Sequence, residues 1–165
     1  MDYWPNIDAV TWFAGEILPA IRRVVPEVRF WIVGMNPAPA VRALASAGVF
    51  VTGTVPDVRP YIAHADLVVA PLRIARGIQN KVLEAMSMAR PVVVSAASAV
   101  GLSARDGVEC EIVEGGESTA ERVLGLLADP ARRVEMGKAA RACVESQYSW
   151  HAHLGLLDQL LSESA

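Results

Sequence analysis

Side chains that cross-link small proteins or bind metal ions are scarce in this sequence. Its 165 residues include two cysteines and three histidines. Cys110 and Cys143 lack CxxC spacing and have no histidine near them in sequence, so we expect reduced thiols, as in the cytoplasm. His151 and His153 are two positions apart and would lie on different faces of a helix. The sequence therefore predicts neither a disulfide framework nor a metal site.

Long apolar runs and an excess of positive charge are also missing. No segment approaches the roughly 20 apolar residues that a membrane-spanning helix requires. The opening MDYWPNIDAV lacks the basic region and apolar core of a signal peptide. The 15 basic and 18 acidic residues give a net charge of -3, whereas nucleic-acid-binding domains usually carry a basic stripe. We therefore expect a cytoplasmic protein that does not bind nucleic acid.

The residues that are abundant indicate one α/β domain. Hydrophobic residues make up 53% of the chain, which excludes disorder. Short apolar runs predict strands, and segments with helical spacing lie between them. This alternation is typical of a parallel sheet buried on both faces, so we expect a doubly wound, Rossmann-like sandwich of about five strands. The predicted strands span residues 30–33, 49–52, 67–70, 91–95 and 111–113. Predicted helices include 7–21, before the first strand, and 77–88, between the third and the fourth.

After the last strand the pattern is purely helical. Three extra helices are predicted, over residues 120–128, 131–146 and 151–161. Gly115 and Gly116 are interpreted as a turn before the first of them. Asp129 and Pro130 predict the start of the second, because proline suits the first turn of a helix.

Three features near the predicted helices fit the pattern poorly. Pro19 lies inside the first predicted helix and should kink it. Ala89 stands at a helix exit where glycine would be the easier cap. Nothing strand-like precedes the first predicted helix except residues 1–4, although a doubly wound domain normally begins with a strand. We therefore expect the chain to be a piece of something longer.

The richest candidate site lies where the strand 67–70 passes through a loop into the helix 77–88. Ligands of open parallel sheets bind at the carboxyl ends of strands, beside helix N-termini. Gly77 would leave the backbone approachable at the helix start, where free N–H groups and the helix dipole favour an anion. Arg73 and Arg76 flank this point. The junction predicts an anion site.

Spacing along this helix adds two further candidates. Gly77, Lys81 and Glu84 are four and three residues apart, so they would share one face. A phosphate at Gly77 would meet Lys81, and the carboxylate of Glu84 could accept hydrogen bonds from sugar hydroxyls. The structural alternative is an ordinary surface pair of Lys81 and Glu84, worth about 0.2–0.5 kcal/mol. Gly34 and Gly53 follow two other strands and are expected at the same rim, either near a ligand or as tight turns.

Several separated segments resemble one enzyme family. GIQNKVLEAMSMARPVVVS at residues 77–95 resembles the donor-nucleotide signature of retaining glycosyltransferases of family 4, which have the GT-B fold. Supporting segments are WIVG at 31–34, VTGTVPDVRPYIAHADLVVAPL at 51–72 and LLADPARRVEMGKAARACVESQYSW at 126–150. The MDYWPN opening and the GIQNK form look closest to sugar transferases of bacterial exopolysaccharide gene clusters.

The resemblance implies a domain organisation. Enzymes of this family have an N-terminal domain for the acceptor and a C-terminal domain for the nucleotide sugar. Residues 1–165 resemble the C-terminal domain alone, beginning just after its first strand, and residues 149–162 resemble the helix that crosses back to the N-terminal domain. The implied partners are a nucleotide sugar, that missing domain and, for the full-length protein, peripheral contact with a membrane.

The resemblance also implies roles for individual residues. Glu84 matches the glutamate that binds the ribose hydroxyls, and Gly77 matches the glycine whose amide approaches the diphosphate. The family's other glutamate would fall at position 76, where this chain has Arg76. Ile78 and Lys81 lie between these positions in the donor-binding segment.

The implied reaction is transfer of a sugar from a nucleotide-diphosphate donor to an acceptor hydroxyl with retention. No metal or cofactor is needed, since basic groups and a helix N-terminus can stabilise the leaving diphosphate. Arg76 and Lys81 would supply that catalytic charge, aided by Arg73 and Gly77. The chain alone should transfer nothing. The alternatives are half of a nucleotide-sugar epimerase and a non-catalytic α/β regulatory module such as a receiver domain.

Overall fold

The protein is an α/β domain, seen in a computed structural model that describes residues 3–149. Its strands are β1 (Phe30–Val33), β2 (Val49–Gly53), β3 (Val68–Ala70), β4 (Val92–Ser95) and β5 (Glu111–Val113). Its helices are α1 (Trp4–Trp12), α2 (Leu18–Val24), α3 (Pro39–Arg42), α4 (Arg59–His64), α5 (Asn80–Ser87), α6 (Ala96–Ala99), α7 (Gly115–Ala128) and α8 (Pro130–Gln147). The predicted α/β class is confirmed.

All strand pairing within the described residues is parallel. β1 pairs with β2, and β3, β4 and β5 form a second sheet in that order. The five strands lie within one residue of the predicted bounds. The strands lie in two parallel sheets, because no backbone pairing joins β1 to β3 within residues 3–149.

Helices cover both faces of the strands. Along β4 the side chains alternate: Val93 packs into a core with α2 and α7, whereas Val92 and Val94 pack on the opposite face with α5 and α8. All three valines are at most 1% exposed. A strand buried on both faces needs apolar residues at every position, which explains the continuous VVV run.

The first helical segment is interrupted, as Pro19 predicts. A π-helical turn, Phe13–Ile17, connects α1 to α2. Pro19 then lies in the first turn of α2, where a missing N–H leaves no helical hydrogen bond unmade. The predicted kink therefore takes the form of a local change in helical hydrogen bonding.

Two predicted helix starts are wrong. α5 begins at Asn80 rather than Gly77, because Gly77 has φ +64°, a left-handed conformation that cannot continue a helix. α7 begins at Gly115, so Gly115 and Gly116 form its first turn rather than a preceding turn. Gly116 lies against Ile17, and this packing supports the early start.

The structure tests the C-terminal predictions only as far as residue 149. The helix expected over 131–146 is confirmed by α8. Several predictions fall outside the described residues. They are the helix expected over 151–161, the part of the crossing segment 149–162 that follows Ser149, and the placement of His151 and His153. No helix within residues 3–149 is long and apolar enough to cross a membrane.

α5 and α8 approach closely where α5 ends. Ala89 adopts the left-handed conformation, φ +54°, that usually belongs to a glycine cap. The Arg90 N–H then donates to the Ala85 carbonyl at 3.0 Å and closes the helix. A methyl group at Gly137 of α8 would collide with the Ala89 carbonyl oxygen and lie 2.8 Å from its carbonyl carbon. Only glycine fits this crossing.

We expect Gly137→Ala to lower the free energy of unfolding by about 3 kcal/mol, because the added methyl group must displace backbone. Gly125→Ala on α7 is the matched control, since its methyl group would meet no atom within 4 Å. That change should raise stability by about 0.5–1 kcal/mol through helix propensity. Urea denaturation measures both. Equal effects of the two substitutions would contradict the close crossing.

Candidate functional site

The loop that follows β3 is anchored by two serines. Ser98 is fully buried and its hydroxyl donates to the Ala70 carbonyl at 3.0 Å. The Ser95 hydroxyl donates to the Leu72 carbonyl. These bonds tie the end of β3 to the end of β4, so the loop 71–79 leaves the carboxyl edge of the sheet at a fixed place. Ligands of open parallel sheets bind at this edge.

The loop reaches α5 with its backbone open to approach. Gly77 is exposed, and a methyl group built there would have no atom within 4 Å. The Gln79 side-chain amide donates to the Gly77 carbonyl at 3.1 Å and orients the loop. No side chain caps the first turn of α5 among the described residues. Free N–H groups and the helix dipole therefore favour an anion here.

Lys81 lies in the first turn of α5 and bonds to the first helix of the chain. Its Nζ donates to Asn6 Oδ1 on α1 at 2.7 Å. Although the side chain has an exposed face, surrounding protein removes water from the ammonium group, which lowers the pKa of Lys81. A partly desolvated cation interacts strongly with an anion.

Glu84 lies one turn further along the same face. It is exposed and lines the same cavity, of about 690 Å³, as Lys81 and Asn6. Within residues 3–149 it forms no ion pair, so the surface pair of Lys81 and Glu84 is absent. The carboxylate can therefore accept hydrogen bonds from the hydroxyl groups of a ligand.

The Arg73 side chain is bonded to α1 and does not extend freely beside the loop. Its Nε donates to Asp8 Oδ2 at 2.9 Å, and its second bond to Asp8 Oδ1 completes a bidentate pair. Its guanidinium carbon also lies 5.5 Å from the centre of the Trp12 ring. The bonds from Arg73 lower the pKa of the Asp8 carboxyl. Direct contact of Arg73 with a ligand stays a prediction, and would compete with Asp8.

The other predicted residues lie at the carboxyl ends of the strands but do not line the cavity of Lys81 and Glu84. Arg76 is exposed, and its side chain has no polar partner within the described residues. Ile78 is also exposed, with one face near Gly101. Gly34 directly follows β1 and Gly53 ends β2. The register that pairs Val33 with Gly53 brings these two glycines to the same edge.

Asn6 and Asp8 are the residues that sequence reasoning missed. They lie 75 and 65 positions before their partners Lys81 and Arg73, so no spacing along the chain reveals the contacts. Within residues 3–149, the loop after β3 and the first two turns of α5, here called the rim, thus carry a free cation, a desolvated cation, an uncapped helix start and a free carboxylate. This set can bind a ligand that is anionic at one end and hydroxylated at the other.

Comparison with known proteins identifies relatives of this chain. Residues 1–129 match the family described as Glycosyl transferases group 1. The chain is 30% identical over 161 residues to the GDP-mannose-dependent alpha-(1-6)-phosphatidylinositol monomannoside mannosyltransferase of Mycolicibacterium smegmatis. That alignment covers 88% of this chain and 42% of the relative, so the chain spans less than half of the relative's length.

Solved structures share the fold. The C-terminal domain of a glycosyl transferase group 1 family protein from Francisella tularensis superposes with a TM-score of 0.73 and 18% identity, covering 86% of this chain and 80% of that chain. Anabaena HepE in complex with UDP superposes with a TM-score of 0.75 and 19% identity, covering 92% of this chain and 46% of that chain. At these identities the likeness establishes the fold alone, that of GT-B C-terminal domains.

These matches do not favour the epimerase or the regulatory module. The family match extends over residues 1–129 of a chain of 165, and it includes the loop after β3 and the whole of α5. The chain belongs to the glycosyltransferase group 1 family.

Proposed function

We propose that this chain is the donor-binding domain of a glycosyltransferase and that its rim binds a nucleotide-diphosphate sugar. The observation that carries the proposal is the position of Lys81 and Glu84 on one exposed face of α5, lining one cavity without pairing with each other. One turn of helix separates a cation from a carboxylate. A diphosphate and its ribose present charges and hydroxyls in the complementary order.

Each residue of the rim has a role in this proposal. Lys81 and Arg76 neutralise the diphosphate, and the amide of Gly77 approaches it. Glu84 accepts hydrogen bonds from the two ribose hydroxyls. Because Asn6 orients Lys81 and the backbone fixes the start of α5 before the ligand arrives, these two features can stabilise the negative charge of the leaving diphosphate without a metal ion or cofactor. Ile78, Gly34 and Gly53 would contact the ligand at the same edge, outside the cavity, and Arg73 would contribute if it leaves Asp8.

The whole enzyme, in this proposal, transfers a sugar to an acceptor hydroxyl with retention. The chain spans 42% of its mycobacterial relative, which supports a second, N-terminal domain for the acceptor; the chain alone would then transfer nothing. We also propose that the whole enzyme is cytoplasmic, that it acts in exopolysaccharide synthesis and that it contacts a membrane peripherally. The mycobacterial relative depends on GDP-mannose and HepE was crystallised with UDP, so both bases are to be tested.

Removing the charge of Glu84 should weaken nucleotide binding selectively. We expect Glu84→Gln to weaken binding of UDP or GDP by about tenfold or more, because hydrogen bonds to a charged acceptor are lost. Inorganic diphosphate, which has no ribose, should bind both proteins equally. Ligand-observed NMR at millimolar nucleotide measures the affinities.

Glu121→Gln on α7 is the matched control, because this glutamate is exposed and remote in sequence from α5. It should leave nucleotide binding unchanged. Equal weakening by both substitutions, or an equal loss of diphosphate binding, would contradict the ribose role of Glu84. If neither UDP nor GDP binds, the donor-site proposal for this chain is contradicted.

Binding should also depend on pH through Lys81. Its pKa is lowered by desolvation, so the ammonium loses its proton at a lower pH than an ordinary lysine. Affinity for diphosphate should therefore fall as pH rises from about 8 to 10 in the unmodified protein relative to Lys81→Arg, in which a guanidinium stays charged. The last ionisation of inorganic diphosphate also falls in this range, and it affects both proteins equally.

The control for the pH series is Lys138→Arg, a substitution at the other lysine of the chain, which is exposed on α8. This variant should keep the pH dependence of the unmodified protein. Titration calorimetry with inorganic diphosphate between pH 7 and 10 measures all three proteins. A Lys81→Arg profile identical to that of the unmodified protein would show that Lys81 does not hold the anion.

A further inference from the structure

A second cleft lies at the amino end of β2. It has a volume of about 400 Å³, and its lining includes Arg22 of α2, Ser46 and Val49. We call it the Arg22 cleft. Val49 is the first residue of β2, whereas Gly53 ends that strand at the edge where the rim lies. The cleft is therefore separate from the rim, and Arg22 has no role in the proposed function.

The walls of the Arg22 cleft are almost entirely apolar. Residues three or four positions apart follow one side of the first helical segment, and Gly15, Leu18, Pro19 and Arg22 form one wall. The other wall includes Leu44, which follows α3. Apart from Arg22 and the hydroxyl of one serine, no polar side chain lines the cleft within residues 3–149. These walls suit the apolar body of a ligand.

The Arg22 guanidinium has hydrogen-bond donors that no acceptor satisfies. Its Nε and Nη2 atoms are buried, neither has a partner within the described residues, and no ion pair there includes Arg22. The group stays charged in a protein, and buried donors without an acceptor are unfavourable. Because no hydrogen bond holds these nitrogens, the guanidinium can turn toward the cleft without breaking one. A ligand that supplies oxygen acceptors would satisfy them.

A glycine makes room for this guanidinium. A methyl group added at Gly48 would lie 2.5 Å from Arg22 Nη2 and 3.3 Å from the Val28 carbonyl oxygen. The end of α2 does not explain why Arg22 lies there, since Arg23 occupies the same last turn and is exposed. A cation interacts favourably with a helix C-terminus at the surface. The partly buried position of Arg22 therefore needs another reason.

The chemistry of the cleft selects the class of ligand. A carboxylate can accept two parallel N–H···O bonds from a guanidinium. An apolar body can fill the space between the walls, whereas free phosphate would place oxygen atoms against groups that cannot bond to them. The volume lies in the range of about 300–1,000 Å³ that is usual for small-molecule sites.

We propose that the Arg22 cleft binds a small organic monocarboxylate, with its carboxylate on Arg22 and its short apolar body between the two walls. This inference does not rest on the proposed function.

Four small molecules test the ligand class on the full chain: hexanoate, acetate, 1-hexanol and inorganic phosphate. We expect hexanoate to bind at millimolar concentration and to shift the amide signals of Gly15, Ser46 and Gly48. Acetate lacks the apolar body, 1-hexanol lacks the charge and phosphate lacks both the body and the carboxylate, so each should bind at least tenfold more weakly. Absence of hexanoate binding, shifts centred elsewhere, or equal binding of any of the other three would overturn the proposal.

Two arginine variants test the residue. Arg22→Gln should weaken hexanoate binding by about tenfold or more, because the charged donors are lost. Arg23→Gln is the matched control, since it removes the same charge from the same turn of α2 and should leave binding unchanged. Equal effects of the two substitutions would overturn the role of Arg22.

A third variant blocks the space and keeps the charge. A methyl group at Gly15 would meet no atom within 4 Å, so Gly15→Leu can fold and place its side chain in the cleft. It should weaken hexanoate binding by about tenfold or more, and it tests the proposal even if Arg22→Gln does not fold. Unchanged binding to Gly15→Leu would show that hexanoate does not occupy the cleft.

Discussion

Burial of parallel strands on both faces is the constraint from which the rest of this structure follows. Val92, Val93 and Val94 face two different cores in turn, so helices must lie on both sides of β4. Helices that connect parallel strands return the chain to the same end each time, and every strand then finishes at the same edge. For that reason the loop after β3 and the first turn of α5 lie at the same edge as Gly34, which follows β1, and Gly53, which ends β2.

The first helix organises the chemistry of this edge. Asn6 and Asp8 lie two residues apart on α1 and hold Lys81 and Arg73 respectively. These two bonds connect the first helix of the chain to the loop and helix that follow β3, in a domain whose two sheets share no backbone pairing within residues 3–149. The three cations of the rim also differ in their partners. Arg73 has a carboxylate partner, Lys81 has a neutral one, and Arg76 has none among the described residues.

The sequence predicts the strands well because each is a compact run of apolar residues. It also indicates Pro19 and Ala89 as unusual: a π-helical turn ends at Ile17, just before Pro19, and Ala89 has a positive φ. It does not predict the true start of α5, because Gly77 satisfies helical spacing while its φ of +64° excludes helix. The contacts of Asn6 and Asp8 depend on how distant segments pack. The division into two sheets depends on strand edges, which periodicity does not encode.

If the rim at the start of α5 receives the nucleotide, its amides should respond first when the isotope-labelled chain is titrated with UDP and with GDP and the amide chemical shifts are mapped. We expect one nucleotide to shift the amides of Gly77 and Lys81 and the side-chain amide of Asn6 more than any others. The Arg22 cleft, of about 400 Å³, lies at the amino end of β2. Shifts centred on that cleft, with the signals of residues 77–84 unchanged, would show that the nucleotide does not bind at the rim.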